Sequence, residues 1–234
     1  MNHRVIDLNA DLGEGCPWDE ALLLRVSSAS VSCGAHAGTP DEIEQTLRWA
    51  VARGVAVGAH PGYADRLGFG RLDQDLTNLQ IGELIEGQLN RLEAWAEGAG
   101  AAVRFVKPHG ALYNQGQRDG RVASAIVAAL LRRGLPILGQ PGGEVERGAR
   151  KFGLRFVGEG FADRRYRPDG RLVPRAEPGA VLEDPAEVRD QVLRLVDRGV
   201  ETLCVHGDDP RSVALADLVS SILEGAGVEV RGFA

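Results

Sequence analysis

Along this 234-residue chain, short apolar runs alternate with longer amphipathic segments, and that alternation limits the possible folds more than any other feature. The runs Val5–Asn9, Ser30–Cys33, Ala56–Ala59, Val103–Lys107, Pro136–Gly139, Arg155–Glu159 and Thr202–His206 read as strands, and a further short run, Val228–Arg231, follows near the end. Helical patterns run near Pro40–Arg53, Thr77–Glu97, Arg121–Arg133, Pro185–Arg198 and Arg211–Ala226, with apolar residues three and four apart. Thr39-Pro40-Asp41-Glu42 supplies a cap, a proline at the first helical position and acids in the first turn. Gly54, Gly134 and Gly199 sit just past helix ends. Strands separated by helices pair in parallel through right-handed crossovers. Seven or eight such units without a linker predict an α/β fold. We expect a TIM-like β/α barrel of about seven parallel strands, formed as one domain over residues 1–234. The least periodic stretch, Phe161–Leu182 with Pro168, Pro174 and Pro178, is expected to cross the barrel mouth.

Composition removes several classes of function. The net charge of −6 is spread along the chain with no basic stripe, which argues against nucleic acid as a partner. Cys16, Cys33 and Cys204 form no C-x-x-C pair, so neither a disulfide framework nor a structural zinc site is expected, and a reducing compartment suits them. No apolar stretch approaches the ~18 residues of a membrane span, and the first residues lack a signal-peptide core, so the expected location is cytoplasmic, away from any membrane. The phosphate loop G-x-x-x-x-G-K-[ST], the elbow G-x-S-x-G and the dinucleotide motif G-x-G-x-x-G are absent. Serine hydrolysis and hydride transfer are therefore disfavoured.

Four of the five histidines, His36, His60, His109 and His206, each follow a strand candidate and have a glycine within two residues. A lone histidine at a strand end is more often a satisfied core residue than a catalyst. Four in one repeated setting are harder to explain as packing, because buried imidazoles need partners. Barrel active sites gather at the C-terminal strand ends, where glycine permits tight turns. His3 has no such setting and reads as a surface residue. In the first strand, Asp7, Asn9 and Asp11 share one face and Ile6, Leu8 and Ala10 the other. If the apolar set packs against helices, the polar set points into the barrel, where carboxylates must be paired, hydrogen-bonded or bound to a cation. A solvated edge strand is the plainer alternative. Glu14, between Gly13 and Gly15, sits on a turn at the same rim. Lys107 ends an apolar strand in a chain where only it and Lys151 are lysines among 27 basic residues. It could hold a carboxylate or phosphate, or act as a base if its pKa were lowered. Arg71 lies in a glycine-rich loop, Arg164 in a cluster of opposite charges after a strand and Arg175 after the turn Pro168-Asp-Gly170. All three suit bidentate anion binding, although solvated charge clusters are the ordinary explanation.

In order along the chain, the segments Asp7–Gly15, Ala29–Gly38, Gly58–Tyr63, Gly68–Arg71, Val106–Asn114, Glu159–Arg164, Leu172–Arg175 and Cys204–Pro210 resemble the motifs of the LamB/YcsF family. The resemblance implies a seven-stranded barrel related to glycoside hydrolase and polysaccharide deacetylase barrels. It also implies ATP-dependent opening of the lactam of 5-oxo-L-proline to L-glutamate, carried out with two partner subunits. ATP, and so a nucleotide-binding function, and a divalent metal ion are the cofactors this suggests. Within it, Asp11, His60 and His109 could hold the ion or orient water, and Glu14 or Asp7 would be the base. Lys107 and Arg175 would bind the substrate carboxylate or a phosphate, with Arg71, Asn114, Glu159, Arg164 and Asp208 as further binding residues. His36 and His206 would support these groups or transfer protons. The chain departs from the family pattern at Cys16-Pro17-Trp18, Ala35 and Asp209. Two other readings remain: a stand-alone metal-dependent deacetylase or amidohydrolase, and a non-catalytic lactam- or carbohydrate-binding regulatory subunit.

Overall fold

In the computed structural model, which describes residues 4–175 and 177–234, the first strand is paired along both edges. Strand β1 (Arg4–Leu12) pairs in parallel with β2 (Ser28–Ser32) on one side and β7 (Thr202–His206) on the other. Between them run β3 (Ala56–His60), β4 (Val103–Val106), β5 (Ile137–Gly139) and β6 (Phe156–Phe161), each bonded in parallel to the next. The seven strands therefore close into a barrel, as the alternation predicts. An eighth strand, β8 (Val228–Val230), pairs with the first residues of β1 and extends the sheet beyond the ring. His3 lies outside the described residues.

Closure explains the composition of β1. Ile6, Leu8, Ala10 and Leu12 point outward and are buried against the helical shell, while Asp7, Asn9 and Asp11 point into the barrel and are equally buried. The period-two reading holds, and the solvated-edge alternative fails because both neighbours are strands. Below the polar layer the interior is plugged by Phe105, Leu138 and Val157, with Phe233 against them.

The shell contains α1 (Asp19–Leu22), α2 (Pro40–Arg53), α3 (Asn78–Ala99), α4 (Gly110–Arg118), α5 (Gly120–Leu131), α6 (Glu144–Phe152), α7 (Pro185–Asp197) and α8 (Ser212–Gly225). Helices α2 and α3 begin with capping boxes, Thr39 with Glu42 and Thr77 with Gln80. Helices α1, α4 and α6 are not read from periodicity. They are four to nine residues long, too short for a repeat of 3.6 to establish itself, and packing rather than pattern stabilises them. The segment after β6 folds back over the mouth through isolated bridges between Arg164 and Val181 and between Tyr166 and Leu172. No described helix is long and apolar enough to cross a membrane.

Loops at the C-terminal strand ends lock together through backbone. Gly38 has φ 74°, and a methyl group there would lie 2.1 Å from the Gly13 carbonyl oxygen. Gly38→Ala combines a left-handed backbone with a backbone clash. It is expected to lower unfolding free energy by about 2–3 kcal/mol, read as a reduced urea midpoint with an unchanged slope.

Candidate active site

The turns after β1, β2 and β4 and the end of β3 bring Glu14, His36, His109 and His60 together, each offering a ligand atom within 4.8 Å of the others. Asp19 fixes the first turn by accepting from the Gly13 backbone N–H and from the Thr46 hydroxyl, both at 2.7 Å. His60 Nδ1 donates to the Lys107 carbonyl at 2.7 Å, and His109 Nε2 donates to the Phe69 carbonyl at 2.8 Å. Phe69 holds φ 53°, a strained value for a side chain this large, and thereby aims its carbonyl at His109.

These carbonyls set the tautomers, since a carbonyl only accepts. A neutral imidazole then has a lone pair on its other nitrogen. His60 Nε2 and His109 Nδ1 consequently present lone pairs to each other across 2.9 Å. His36 Nε2 lies 3.0 Å from Glu14 Oε1, while His36 Nδ1 is buried without a partner. Burial holds the imidazoles neutral, pushing His36 down to about 3 and His60 to about 4, with His109 well below its usual value. Burial, then Asp11, pushes the Glu14 carboxyl up. Converging ring nitrogens beside a carboxylate, with His60 and His109 each oriented by a backbone carbonyl, fit a divalent cation of the zinc type.

Asp11 is not part of that group. Its Oδ2 stands 3.6 Å from His60 Nε2, but Oδ1 accepts from Lys107 Nζ at 2.8 Å. Lys107 also meets Glu159 Oε1 at 2.8 Å, Cys204 Sγ at 3.0 Å and Asn9 Oδ1 at 3.1 Å. The residues Asp11, Cys204 and His206 form a second cluster of potential metal donors, and the ammonium already sits against two of them. Burial disfavours the Lys107 ammonium, but Asp11, Cys204 and Glu159 raise its pKa well above normal, so it is a fixed cation. The two adjacent carboxylates oppose the lowered pKa that a base role for Lys107 would need. Asp7 lies one layer deeper in the barrel than Asp11 and accepts from the hydroxyls of Ser27, Ser28 and Thr202.

Asp11, His60, Lys107, His109 and His206 line a cavity of about 290 Å³ under the 161–182 segment. His206 Nδ1 donates to Asp163 Oδ2 at 2.9 Å, and its ring stacks on Phe161. Despite burial, His206 and nearby arginines hold the Asp163 carboxyl low. At the rim, Arg71 and Arg175 both bond to Asp208, the latter at 2.7 Å. Asn114 lines the same cavity with its side chain on the Gly110 carbonyl. Arg164 is a buried brace: its guanidinium donates to the carbonyls of Val173 and Ala180 and fixes the covering segment. The departure at Asp209 faces away from this cavity and pairs with Arg211.

The model of the LamB/YcsF family matches residues 6–234. The chain belongs to the LamB/YcsF family. A relative from Methylococcus capsulatus, named as the A subunit of 5-oxoprolinase, is 45% identical over 97% of this chain and 95% of its own length. The crystal structure of a lactam utilization protein from Thermus thermophilus superposes with a TM-score of 0.89 at 40% identity, covering 98% of this chain and 100% of that one. A family 4 carbohydrate esterase from Streptomyces lividans, 14% identical with a TM-score of 0.52 over 100% of this chain and 94% of its own, shares the barrel fold. Asp163, Tyr113 and Gln140 belong to the cavity or its wall but went unassigned in the sequence, although Asp163 and Tyr113 stand inside family motifs.

Two outcomes follow from this geometry. Lys107→Met leaves Asp11 and Glu159 buried without a cation and should cost about 3–5 kcal/mol at neutral pH by denaturant unfolding. The unpaired acids then have folded pKa values above their unfolded ones. The folded state binds extra protons as pH falls through that window, so the deficit shrinks on acidification. By elemental analysis, the protein purified from zinc-supplemented medium should carry about one divalent ion per chain. His60→Ala and Glu14→Gln should reduce its affinity roughly 10–100-fold.

Proposed function

We propose that this chain acts within a 5-oxoprolinase as its A component, opening the lactam of 5-oxo-L-proline to L-glutamate by an ATP-dependent reaction with two partner subunits. The observation that carries this reading is the joining, around one small closed-over cavity, of a His–Asp proton-transfer pair, an arginine pair at the rim and a histidine–glutamate cluster. The names of relatives covering nearly the whole chain supply the substrate.

His206 acts as the base that takes a proton from the attacking water, with Asp163 fixing its tautomer and stabilising the imidazolium. Arg175 and Arg71 leave Asp208 to hold the substrate carboxylate, or a phosphoryl group where the amide oxygen has been phosphorylated. Lys107 holds Asp11 ionised beside His60 and balances its charge, so the polar layer under the substrate is fixed and paired. Glu14, His36, His60 and His109 would hold a divalent ion, which supplies a Lewis acid for an oxygen of the substrate or water. A cavity of about 290 Å³ suits a five-membered ring with a carboxylate, while a nucleoside triphosphate calls for more of the ~300–1,000 Å³ range of ligand sites. ATP is accordingly bound mainly by the partners.

The histidine–glutamate cluster also favours a second reading, a metal-dependent amidohydrolase that works alone. Turnover of 5-oxoproline by the isolated chain without ATP would establish that reading instead. Under the leading one, glutamate appears only with ATP and the co-expressed partners. His206→Asn and Asp163→Asn should then lower kcat by roughly 10²–10⁴ without removing bound metal. Wild-type rates in both variants would eliminate the proposed base.

A further inference from the structure

Three buried polar atoms at one corner of the cavity lack hydrogen-bond partners: the Tyr113 hydroxyl, Gln140 Nε2 and Glu159 Oε2. Their side chains are more than nine-tenths buried, with exposures of 4%, 7% and 1%. Tyr113 and Gln140 line the cavity, and Glu159 joins its wall through the ion pair with Lys107. The strand register explains why they meet. Gly139 of β5 pairs with Gly158 of β6, so Gln140 and Glu159 follow side by side. Tyr113, on α4, packs its ring edge-on against Phe161 and sets its phenol beside the Glu159 carboxylate. An unmet buried polar group costs about 1–3 kcal/mol, so three together mark a place where a ligand completes the bonding.

The pattern of this corner is two donors beside one acceptor. Glu159 Oε1 is taken by Lys107 and Asn9, which leaves Oε2 as the free acceptor. Tyr113 O–H and Gln140 N–H are the free donors. A ligand that satisfies them presents a carbonyl oxygen and an N–H on the same edge. A small lactam does this because its ring locks the amide cis. An open-chain secondary amide places the two groups on opposite edges, and its cis form is disfavoured roughly a hundredfold or more.

We propose that Tyr113, Gln140 and Glu159 form an amide-reading subsite that selects cis-lactams, with the N–H donating to Glu159 Oε2 and the carbonyl accepting from Tyr113 and Gln140. The inference rests on the reading that this cavity takes a lactam, and it assigns the specificity to residues outside the histidine cluster and the His206–Asp163 pair.

The test is binding to the full purified chain, without ATP or partners, followed by calorimetry and ligand-observed NMR. The probes are 5-oxo-L-proline, 2-pyrrolidinone, L-proline and N-methylacetamide. The wild type should bind both lactams, the carboxylated one more tightly, and neither L-proline nor N-methylacetamide. Tyr113→Phe, which keeps the ring, and Gln140→Leu should each weaken both lactams by tenfold or more while circular dichroism stays unchanged. Arg175→Ala should weaken only 5-oxo-L-proline. Equal affinity for L-proline or N-methylacetamide, unaltered lactam affinity in Tyr113→Phe and Gln140→Leu, or no lactam binding by the folded wild type would overturn the subsite. Tyr113-dependent binding of 2-pyrrolidinone alongside a complex that makes no glutamate would sink the 5-oxoprolinase reading and leave the subsite standing. Glutamate production with Tyr113-independent binding would do the reverse.

Discussion

The ammonium of Lys107, sealed inside the barrel, is the interaction on which the rest of this site depends. It neutralises Asp11 and Glu159 at 2.8 Å each and engages Asn9 of the same strand as Asp11 and Cys204 of β7. Without a cation there, Asp11 of β1 and Glu159 of β6 would be buried, unpaired carboxylates, and the barrel would lose stability at that level. A lysine suits the position because its charge is compact and its donors diverge, where the planar fork of arginine would demand paired acceptors. The rarity of lysine in this chain is therefore matched by an environment built for it.

Above that fixed cation the histidines face the opposite problem. Three imidazoles and Glu14 are buried with their ring nitrogens converging, and the backbone carbonyls of Lys107 and Phe69 leave lone pairs opposed between His60 and His109. Such an arrangement is poor as packing and good as a coordination sphere. One end of the barrel thus carries a built-in cation and, beside it, a donor set suited to a second one. The cavity between them is roofed by a segment that Arg164 braces from below.

Much of this was legible in the chain itself. The outward and inward faces of β1, the four glycine-marked histidines and Lys107 follow from period, punctuation and scarcity, and all of them meet at one barrel mouth. Other features were not legible. Asp7 shares the face of Asp11, yet it sits a layer deeper among hydroxyls, because period two fixes a side and not a depth. The choice of Glu14 and His36 over Asp11 as companions of His60 and His109 depends on which acid Lys107 captures, a contact between positions 96 apart. Tyr113 stands inside the motif Val106–Asn114 but nothing in its spacing assigns it a role, and Gln140, a glutamine after a strand, is ordinary in sequence.

What the sequence alone determined is the barrel and the inventory of its mouth, because hydrophobic period, capping and glycine placement act over a few residues. What only the tertiary structure decided is pairing. Arg71 and Arg175 are tied to Asp208, His206 to Asp163, and Glu14 to His36. Charges and lone pairs act across a few ångströms of space regardless of separation along the chain. Their roles are therefore set when barrel closure fixes which strand ends are neighbours.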